Sequence, residues 1–256
     1  MKILVVAHVF YPQLWPELAG CIRNITERKD VVITFVDEAS VVEARKDFPD
    51  ARFALCENRG YDVWPFVRVL RSTDLSSYDA IVKLHTKRDV EETRGYHFNH
   101  VKFYGSVWRN HLLAFVRTSE AWTKTLRELS RPGVGMVADR HVVMRRNDVR
   151  WERTRTSFDA AAGFLGIDPE AVRRNGQYVA GSMFAARPAA LRPLLEKFLG
   201  TEMFEPSEGH LTETFAHVVE RAFGLSVGLA GLRIAAFNGS LGFRRAMFPF
   251  RTLLRI

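Results

Sequence analysis

The fold is decided by residues 31–55, which read VVITFVDEASVVEARKDFPDARFAL. This stretch holds two short apolar runs, Val31–Val36 and Ala51–Leu55, separated by the helix-like segment Ala39–Lys46. Short runs rich in β-branched residues predict buried strands. A helix between two such strands is the usual crossover that joins parallel neighbours in a sheet. These residues therefore predict a strand–helix–strand unit with parallel strands.

The same alternation extends to both sides of this unit. Further strands are predicted at Lys2–Val9, Ala80–Leu84, Gly135–Ala138 and Gln177–Ala186. Further helices are predicted at Pro16–Ile25, Val63–Leu70, Asp159–Leu165, Pro188–Leu199 and Thr212–Phe223, and residues 97–130 have mostly helical spacing. Because no repeat or linker interrupts the pattern, we predict one α/β domain with a mostly parallel central sheet flanked by helices. Sheets of this kind bind ligands at the carboxyl ends of their strands.

The composition narrows the class of protein. The chain has 256 residues, 47% of them apolar, which excludes a disordered or fibrous protein. Its first apolar run is short and contains His8, so we expect a buried strand there and not a signal peptide. Cys21 and Cys56 are too few for a disulfide scaffold, which favours a reducing compartment. The net charge of +8 fits nucleic acid, anionic lipid or a phosphorylated ligand without choosing among them.

Polar residues follow the strand predicted at Ala51–Leu55. Asn58 and Gly60 suit a tight turn, and Asp62 comes just before a predicted helix. One interpretation is a turn with a helix N-cap, in which Asp62 accepts hydrogen bonds from backbone N–H groups. The other is a nucleotide pocket, in which the helix start binds phosphate and Asp62 holds a ribose hydroxyl or base edge. Arg59 would add a charge-assisted hydrogen bond to that pocket.

A second polar run, His-Thr-Lys-Arg-Asp at residues 85–89, follows the strand predicted at Ala80–Leu84. One interpretation is a solvated run of charges. The other is a pyrophosphate site, because a cluster of donors can neutralise two phosphates without a metal. His85 and Lys87 would be the main donors of that site.

Two further strands end in residues that suit a ligand site. Asp139 closes the strand predicted at Gly135–Ala138, either as a turn or cap residue or as a functional carboxylate. Gly181, beside Ser182, lies in an apolar strand, where a missing side chain lets a ligand or another backbone approach closely.

The helix predicted at Thr212–Phe223 carries a polar face. Glu213, His217 and Glu220 are spaced by four and three residues and so share one side of a helix. This face could present a carboxylate and an imidazole for general base catalysis. It could equally form a surface ion pair.

Several sequence blocks together resemble a known family. In chain order they are HVFYPQLWPEL, ENRGYDVWPF, KLHTKR, GVGMVAD, YVAGSMFAARPAAL and AHVVERAFG. The chain resembles the rhamnan synthesis protein F family over nearly its whole length. The resemblance implies a GT-A-like glycosyltransferase that moves a sugar, often rhamnose, from a nucleotide-sugar donor to a lipid-linked glycan acceptor. It implies a glycosyltransferase domain at 1–242, with a nucleotide-sugar half at 1–135 and an acceptor half at 136–242.

The resemblance also assigns residues to the donor and the acceptor. Those expected to bind substrate are Asn58, Arg59, Gly60, Asp62, Thr86, Gly181, Ser182, His217, Glu220 and Arg221. His85 and Lys87 would stabilise the leaving diphosphate, and Glu213 or Asp139 would act as the base. Residues 85–87 occupy the strand end where many GT-A enzymes carry an Asp-x-Asp metal motif. Because no carboxylate pair stands there, we assign no metal ligands and do not favour a Mg²⁺ or Mn²⁺ cofactor.

The tail at residues 243–256 interleaves arginine with large apolar residues. This composition suits peripheral contact with an anionic membrane, and we expect a cytoplasmic enzyme, peripheral on the inner face of the cell membrane. The tail could instead pack on the domain with its arginines in water. Two other functions remain open: a basic nucleic-acid-binding domain, and a non-catalytic sugar-nucleotide-binding partner in polysaccharide assembly.

Overall fold

The structure is a computed structural model that describes residues 1–90, 96–98, 101–145, 151–168, 170–172, 176–207 and 213–238. The basic tail and Thr212 lie outside the described residues. The strands are β1 (Lys2–Val9), β2 (Arg28–Phe35), β3 (Arg52–Leu55), β4 (Ala80–His85), β5 (Tyr96–Phe98), β6 (Val101–Phe103), β7 (Val134–Asp139), β8 (Val143–Arg145), β9 (Gln177–Val179), β10 (Phe184–Ala186) and β11 (Arg233–Phe237). The α-helices are α1 (Trp15–Arg23), α2 (Val42–Asp47), α3 (Val63–Arg71), α4 (Val107–Leu113), α5 (Ser119–Leu129), α6 (Trp151–Leu165), α7 (Pro188–Leu195) and α8 (Phe215–Leu229).

In the described part of the chain, seven strands form the central sheet in the order β3–β2–β1–β4–β10–β7–β11. Neighbours pair in parallel except at β10, which runs antiparallel to both β4 and β7. The carboxyl ends of β4 and β7 therefore reach the same edge of the sheet. The prediction of an α/β fold with a mostly parallel central sheet is confirmed, and this architecture is compatible with a GT-A-like domain.

Helix α3 covers one face of the sheet beside β4. Its sequence, VWPFVRVLR, directs apolar side chains to the core, while Arg68 and Arg71 lie near its end. Phe66 of this helix packs edge-to-face against Phe184 of β10 and Phe223 of α8, with ring centroids 5.9 and 5.5 Å away. Burial of each ring stabilises the fold by about 1.5–3 kcal/mol. The contact fixes α3 and α8 over the middle of the sheet.

The structure corrects the strand predicted at Gln177–Ala186. This segment forms two strands, β9 and β10, and only β10 belongs to the central sheet. A turn separates them, in which Gly181 and Ser182 have φ values of +77° and +48°. Left-handed backbone at two successive residues cannot continue a strand. The turn therefore ends β9 and separates it from β10, which pairs antiparallel with both of its neighbours in the central sheet.

Other predictions also differ from the structure. Residues 97–130 were predicted to be mostly helical, but they begin with the hairpin of β5 and β6. The short helix predicted around Asp159–Leu165 is the end of the longer α6. Strand β11 was not predicted. Within the described residues, none of the helices has the length and apolar character that a bilayer span requires.

Candidate functional site

A buried ion pair lies at the centre of the candidate site. Lys83, in the middle of β4, is 1% exposed, and its ammonium donates to the carboxylate of Asp62 and, at 2.9 Å, to the hydroxyl of Ser182. The Ser182 hydroxyl in turn donates to Asp62 Oδ2 at 2.7 Å. Lys83 Nζ also lies 5.4 and 6.0 Å from the ring centroids of Phe66 and Phe223. The charge of Lys83 is therefore fixed in position by three partners of different kinds.

A row of polar side chains crosses three strands beside this ion pair. His8 of β1 is in register with Thr34 of β2 and with His85 of β4. His8 Nδ1 is hydrogen-bonded to the Thr34 hydroxyl at 3.0 Å. His85 Nδ1 lies 3.3 Å from Asp62 Oδ2, but neither ring nitrogen of His85 has a hydrogen-bond partner among the described residues. We call Asp62, Lys83, His85 and Ser182 the strand-end cluster.

The protonation states of these side chains follow from their burial and from the charges next to them. Burial lowers the pKa of His8 to about 4 and the pKa of His85 well below its usual range. Burial alone would raise the pKa of Asp62, but the positive charges around it hold that pKa well below its usual range. His85 contributes most to this lowering, followed by Lys83 and Lys87. Burial lowers the pKa of Lys83, and Asp62 opposes that shift.

The turn before α3 is tied to the segment 204–207. Gly60 has φ +61°, and a Cβ there would lie 2.5 Å from the ring of Phe204, so the position requires glycine. The bonds to the segment are Arg59 Nη1 to Phe204 O at 2.8 Å, Gly60 N to Glu205 O at 3.2 Å, Tyr61 N to Ser207 Oγ at 2.9 Å and Ser207 N to Asn58 O at 2.8 Å. Asp62 makes no side-chain capping bond to α3. Asp62 therefore occupies the N-cap position without capping the helix through its side chain, and the turn that this interpretation also predicted is present.

Thr86 and Lys87 continue the chain beyond β4. The Thr86 hydroxyl accepts hydrogen bonds from the backbone N–H groups of Phe10 and Tyr11, both at 2.9 Å. Thr86 thus holds the loop that leaves β1 close to the end of β4. Lys87 is half-buried, and its positive charge acts on Asp62 and His85.

The turn between β9 and β10 joins the strand-end cluster to α8. Gly181 N donates to Glu220 Oε1 at 3.3 Å, and the next residue, Ser182, belongs to the cluster. A Cβ at Gly181 would lie 2.7 Å from Leu112 of α4, so the close approach that the sequence predicted is to a helix.

The first turn of α8 corrects the predicted polar face. The helix begins at Phe215, and Thr214 N donates to the ring of His217 at 3.2 Å in a capping box. Glu213 lies before the helix, is exposed and has φ +65°, so it does not share a helical face with His217. Arg221 is buried, donates to the carbonyl of His217 at 3.0 Å and stacks on the ring of Tyr178 at 4.9 Å. Burial lowers the pKa of His217.

Asp139 lies apart from the strand-end cluster. It is the last residue of β7 and is 2% exposed. Its Oδ1 is 3.1 Å from His111 Nδ1 and accepts a hydrogen bond from the backbone N–H of His141 at 2.9 Å. The two acids predicted as bases are therefore in different surroundings, Glu213 exposed and Asp139 buried.

The structure thus brings together residues from four separate sequence blocks. Asp62, His85 and Ser182 meet directly, and Glu220 is joined to them through the backbone of Gly181. Sequence reasoning missed Lys83 and gave His8 no part in the site. The available signal for Lys83 was a lysine inside the apolar run AIVKL, since lysine is almost never fully buried unless it is paired.

A cleft of about 680 Å³ lies at the opposite edge of the sheet. It is lined by Asp30 and Val32 of β2, Arg52 of β3 and Tyr78, at or near the amino ends of the strands. Parallel sheets of this kind bind ligands at their carboxyl edge. We therefore place the candidate site at the strand-end cluster and not in this cleft.

Comparison with known proteins finds a family match and two curated relatives. Residues 1–228 match the family described as rhamnan synthesis protein F. The chain is also 28% identical over 243 residues to the uncharacterized protein WxcX in two strains of Xanthomonas campestris pv. campestris. The alignment covers 93% of this chain and 33% of WxcX, so the chain spans about a third of the length of the curated relatives it matches. Since the family match takes in every residue of the strand-end cluster, the chain belongs to the rhamnan synthesis protein F family, a family of polysaccharide synthesis.

Proposed function

We propose that the chain is a glycosyltransferase that moves a sugar, with rhamnose as the first candidate, from a nucleoside-diphosphate donor to a lipid-linked cell-surface glycan. Membership of the rhamnan synthesis protein F family supports the role in polysaccharide synthesis. The position of the strand-end cluster, at the carboxyl edge of a mostly parallel sheet, supports a nucleotide-sugar site.

The observation that carries the proposal is the state of His85. Its side chain is 3% exposed, yet both ring nitrogens lack a hydrogen-bond partner among the described residues. A buried polar group without a partner costs about 1–3 kcal/mol, and a ligand that completes its bonds removes that cost. Because His85 is neutral at pH 7, one ring nitrogen can donate to a phosphate oxygen and the other can accept.

The surrounding charges suit a leaving diphosphate. Lys87 lies beside His85 and can bind the phosphates directly, while the ammonium of Lys83 is fixed in position by its ion pair with Asp62. Preorganised donors of this kind stabilise the charge that develops as the sugar leaves. Residues 85–87 at the end of β4 contain no carboxylate pair, so we propose a leaving-group site built from these side chains.

The acceptor hydroxyl needs a base if the anomeric centre inverts, and Glu213 and Asp139 remain the predicted bases. Asp139 is buried and already hydrogen-bonded to the His111 ring. Glu213 is exposed just before α8, where it could meet an acceptor without a change in the fold. Glu213→Gln is therefore the first variant to test for loss of transfer.

Thermal shift against nucleoside diphosphates and nucleotide sugars, each with Mn²⁺ and with chelator, tests the donor site. A ligand at about 100 times its dissociation constant stabilises the fold by roughly 2.7 kcal/mol, which is easily measured. We expect one nucleotide class to stabilise the protein, and Lys87→Ala to reduce that shift. Lys46→Ala, which removes the same charge from an exposed position of α2, is the matched control.

Two results would contradict the proposal. If no nucleotide raises the unfolding temperature at millimolar concentration, the donor site is wrong. If nucleotide sugars bind but no sugar reaches any acceptor in a transfer assay with lipid-linked glycans, the chain is a non-catalytic sugar-nucleotide-binding partner.

A further inference from the structure

A second group of polar side chains lies two strands away from the strand-end cluster. It consists of His111 in α4, Asp139 at the end of β7 and His141 two residues later. Each residue offers one ligand atom, and these three atoms all lie within 4.8 Å of one another. Ligands on one Zn²⁺ ion are each about 2.0–2.2 Å from it and so about 3–4 Å from each other. Small side-chain rotations would bring all three atoms onto one ion.

Three separate elements build this group, and the fold holds it in place. Asp139 is fixed by the backbone N–H of His141, which donates to Oδ1 at 2.9 Å. His111 Nδ1 lies 3.1 Å from the same oxygen, and the rings of His111 and His141 are 4.6 Å apart. The carboxylate is 2% exposed, and a buried carboxylate requires a compensating partner. A divalent ion would supply two positive charges at this point.

From this geometry we propose that His111, Asp139 and His141 bind a divalent transition-metal ion, with Zn²⁺ as the first candidate. Two imidazoles and one carboxylate are typical Zn²⁺ ligands, whereas Mg²⁺ and Ca²⁺ take oxygen ligands. Three protein ligands leave a fourth position for water or a substrate oxygen, as in catalytic zinc sites.

The proposed metal site is separate from the strand-end cluster. Strand β10 lies between β7 and β4, and neighbouring strands are about 4.8 Å apart, so the two groups are about 10 Å apart across the sheet. The proposal therefore does not depend on the donor site, and each can fail without the other.

Arg140 competes with the ion for the ring of His141. Its Nε donates to His141 Nε2 at 3.0 Å, and a guanidinium beside a metal ion also repels it. Arg140 is exposed, so it can swing into solvent when an ion binds. Removing this side chain should therefore strengthen metal binding, an effect that a merely structural role of the histidines would not produce.

The test is titration of the full chain with Zn²⁺ in competition with a chromogenic chelator, and with Co²⁺ followed by its visible absorption. We expect one ion per chain, with little response to Mg²⁺ or Ca²⁺. His111→Gln and His141→Gln should each weaken binding by more than about tenfold, while Arg140→Ala should strengthen it. His217→Gln, a histidine substitution near the strand-end cluster, is the control and should leave metal affinity unchanged.

Each result of the titration either supports or overturns the proposed metal site. Equal affinity in wild type and in both ligand variants would overturn the proposal, as would the absence of any bound ion in wild type. Loss of binding in His217→Gln alone would place the ion elsewhere and also overturn it. Since His111 and His141 are not fully buried, their glutamine variants should stay folded, which circular dichroism checks. If one of the two glutamine variants unfolds, the metal affinities of the other glutamine variant and of Arg140→Ala still test the proposal.

Discussion

Replacing Lys83 with methionine tests whether the buried ion pair is organised as described. Methionine has nearly the same length and can keep the contacts with the rings of Phe66 and Phe223. The substitution removes the ammonium that contacts Asp62 and Ser182. Asp62 then remains ionised in a site where its side chain is 15% exposed, with the Ser182 hydroxyl still able to donate to it.

The size of the effect follows from the burial of each partner. Removing one member of a buried ion pair typically destabilises a protein by about 3–5 kcal/mol. A stranded carboxylate can also take up a proton, which at pH 7 costs about 4 kcal/mol, and a stranded lysine can lose one for about 5 kcal/mol. Because Asp62 is more exposed than Lys83, we expect about 3 kcal/mol for Lys83→Met and about 4–5 kcal/mol for Asp62→Asn.

The double variant Lys83→Met with Asp62→Asn provides the decisive comparison. It leaves no buried charge, so we expect a loss of about 1–2 kcal/mol, smaller than for either single substitution. The exposed pair Lys46 and Glu43 of α2 is the matched control. Its Lys46→Met and Glu43→Gln variants should each change the unfolding free energy by less than about 1 kcal/mol.

Urea unfolding followed by tryptophan fluorescence and circular dichroism at pH 7 measures these free energies. The m-value should stay constant across the series, which shows that the folded state is the same. If the losses of the two single variants simply add in the double variant, Asp62 and Lys83 are not coupled. A loss for Lys83→Met as small as that of the surface control would also refute the reasoning.

Three further predictions address other features. Burial lowers the pKa of His8 from 6.5 to about 4, so its contribution to stability is complete above pH 6.5 and is lost as the pH falls to 4. The loss is about 3 kcal/mol, and in urea titrations at several pH values His8→Gln should flatten this dependence. Gly224→Ala should destabilise the fold by about 1–3 kcal/mol, because its Cβ would lie 2.2 Å from a carbonyl of β9. Gly163→Ala in α6, where no atom lies within 4 Å, should stabilise by up to about 1 kcal/mol, and thermal unfolding compares the two. Lys87→Ala should lower transfer by about a hundredfold with an unchanged unfolding temperature, and unchanged turnover would remove Lys87 from the chemistry.

The parts of the fold that the sequence predicts well are those with local signals. Strand β1 has the predicted bounds because its run of apolar residues is continuous and is buried on both faces. Strand β11 has five residues and is defined by its long-range pairing with β7, while β10 was predicted only as part of a longer strand that the structure divides in two. The turn at Gly181 and Ser182 was missed because it lies inside an apolar run.

In the candidate site, too, the residues with a local sequence signal were predicted, and those that depend on long-range contacts were missed. Asp62 and Ser182 could be selected because polar residues at strand ends and glycine-containing turns are visible in the sequence. Lys83 was missed although it interrupts an apolar run, because its partner lies 21 residues earlier in another element and the sequence does not show that pairing. Glu213 was placed on the helix because spacing alone does not fix a helix start. The capping box of Thr214 and His217 starts the helix at Phe215.

The antiparallel strand β10 has a consequence for the chain during its synthesis. Strands β1 to β4 pair with one another, and β10, the other neighbour of β4, follows about a hundred residues later, so the four strands can assemble while the rest is still being made. Until β10 arrives, β4 is the outer strand of a half-built sheet, open to pairing with other nascent chains. Lys83 stands in the middle of that exposed strand, and a charged side chain there discourages such pairing. The residue that anchors the candidate site in the finished protein therefore also protects the unfinished one from aggregation.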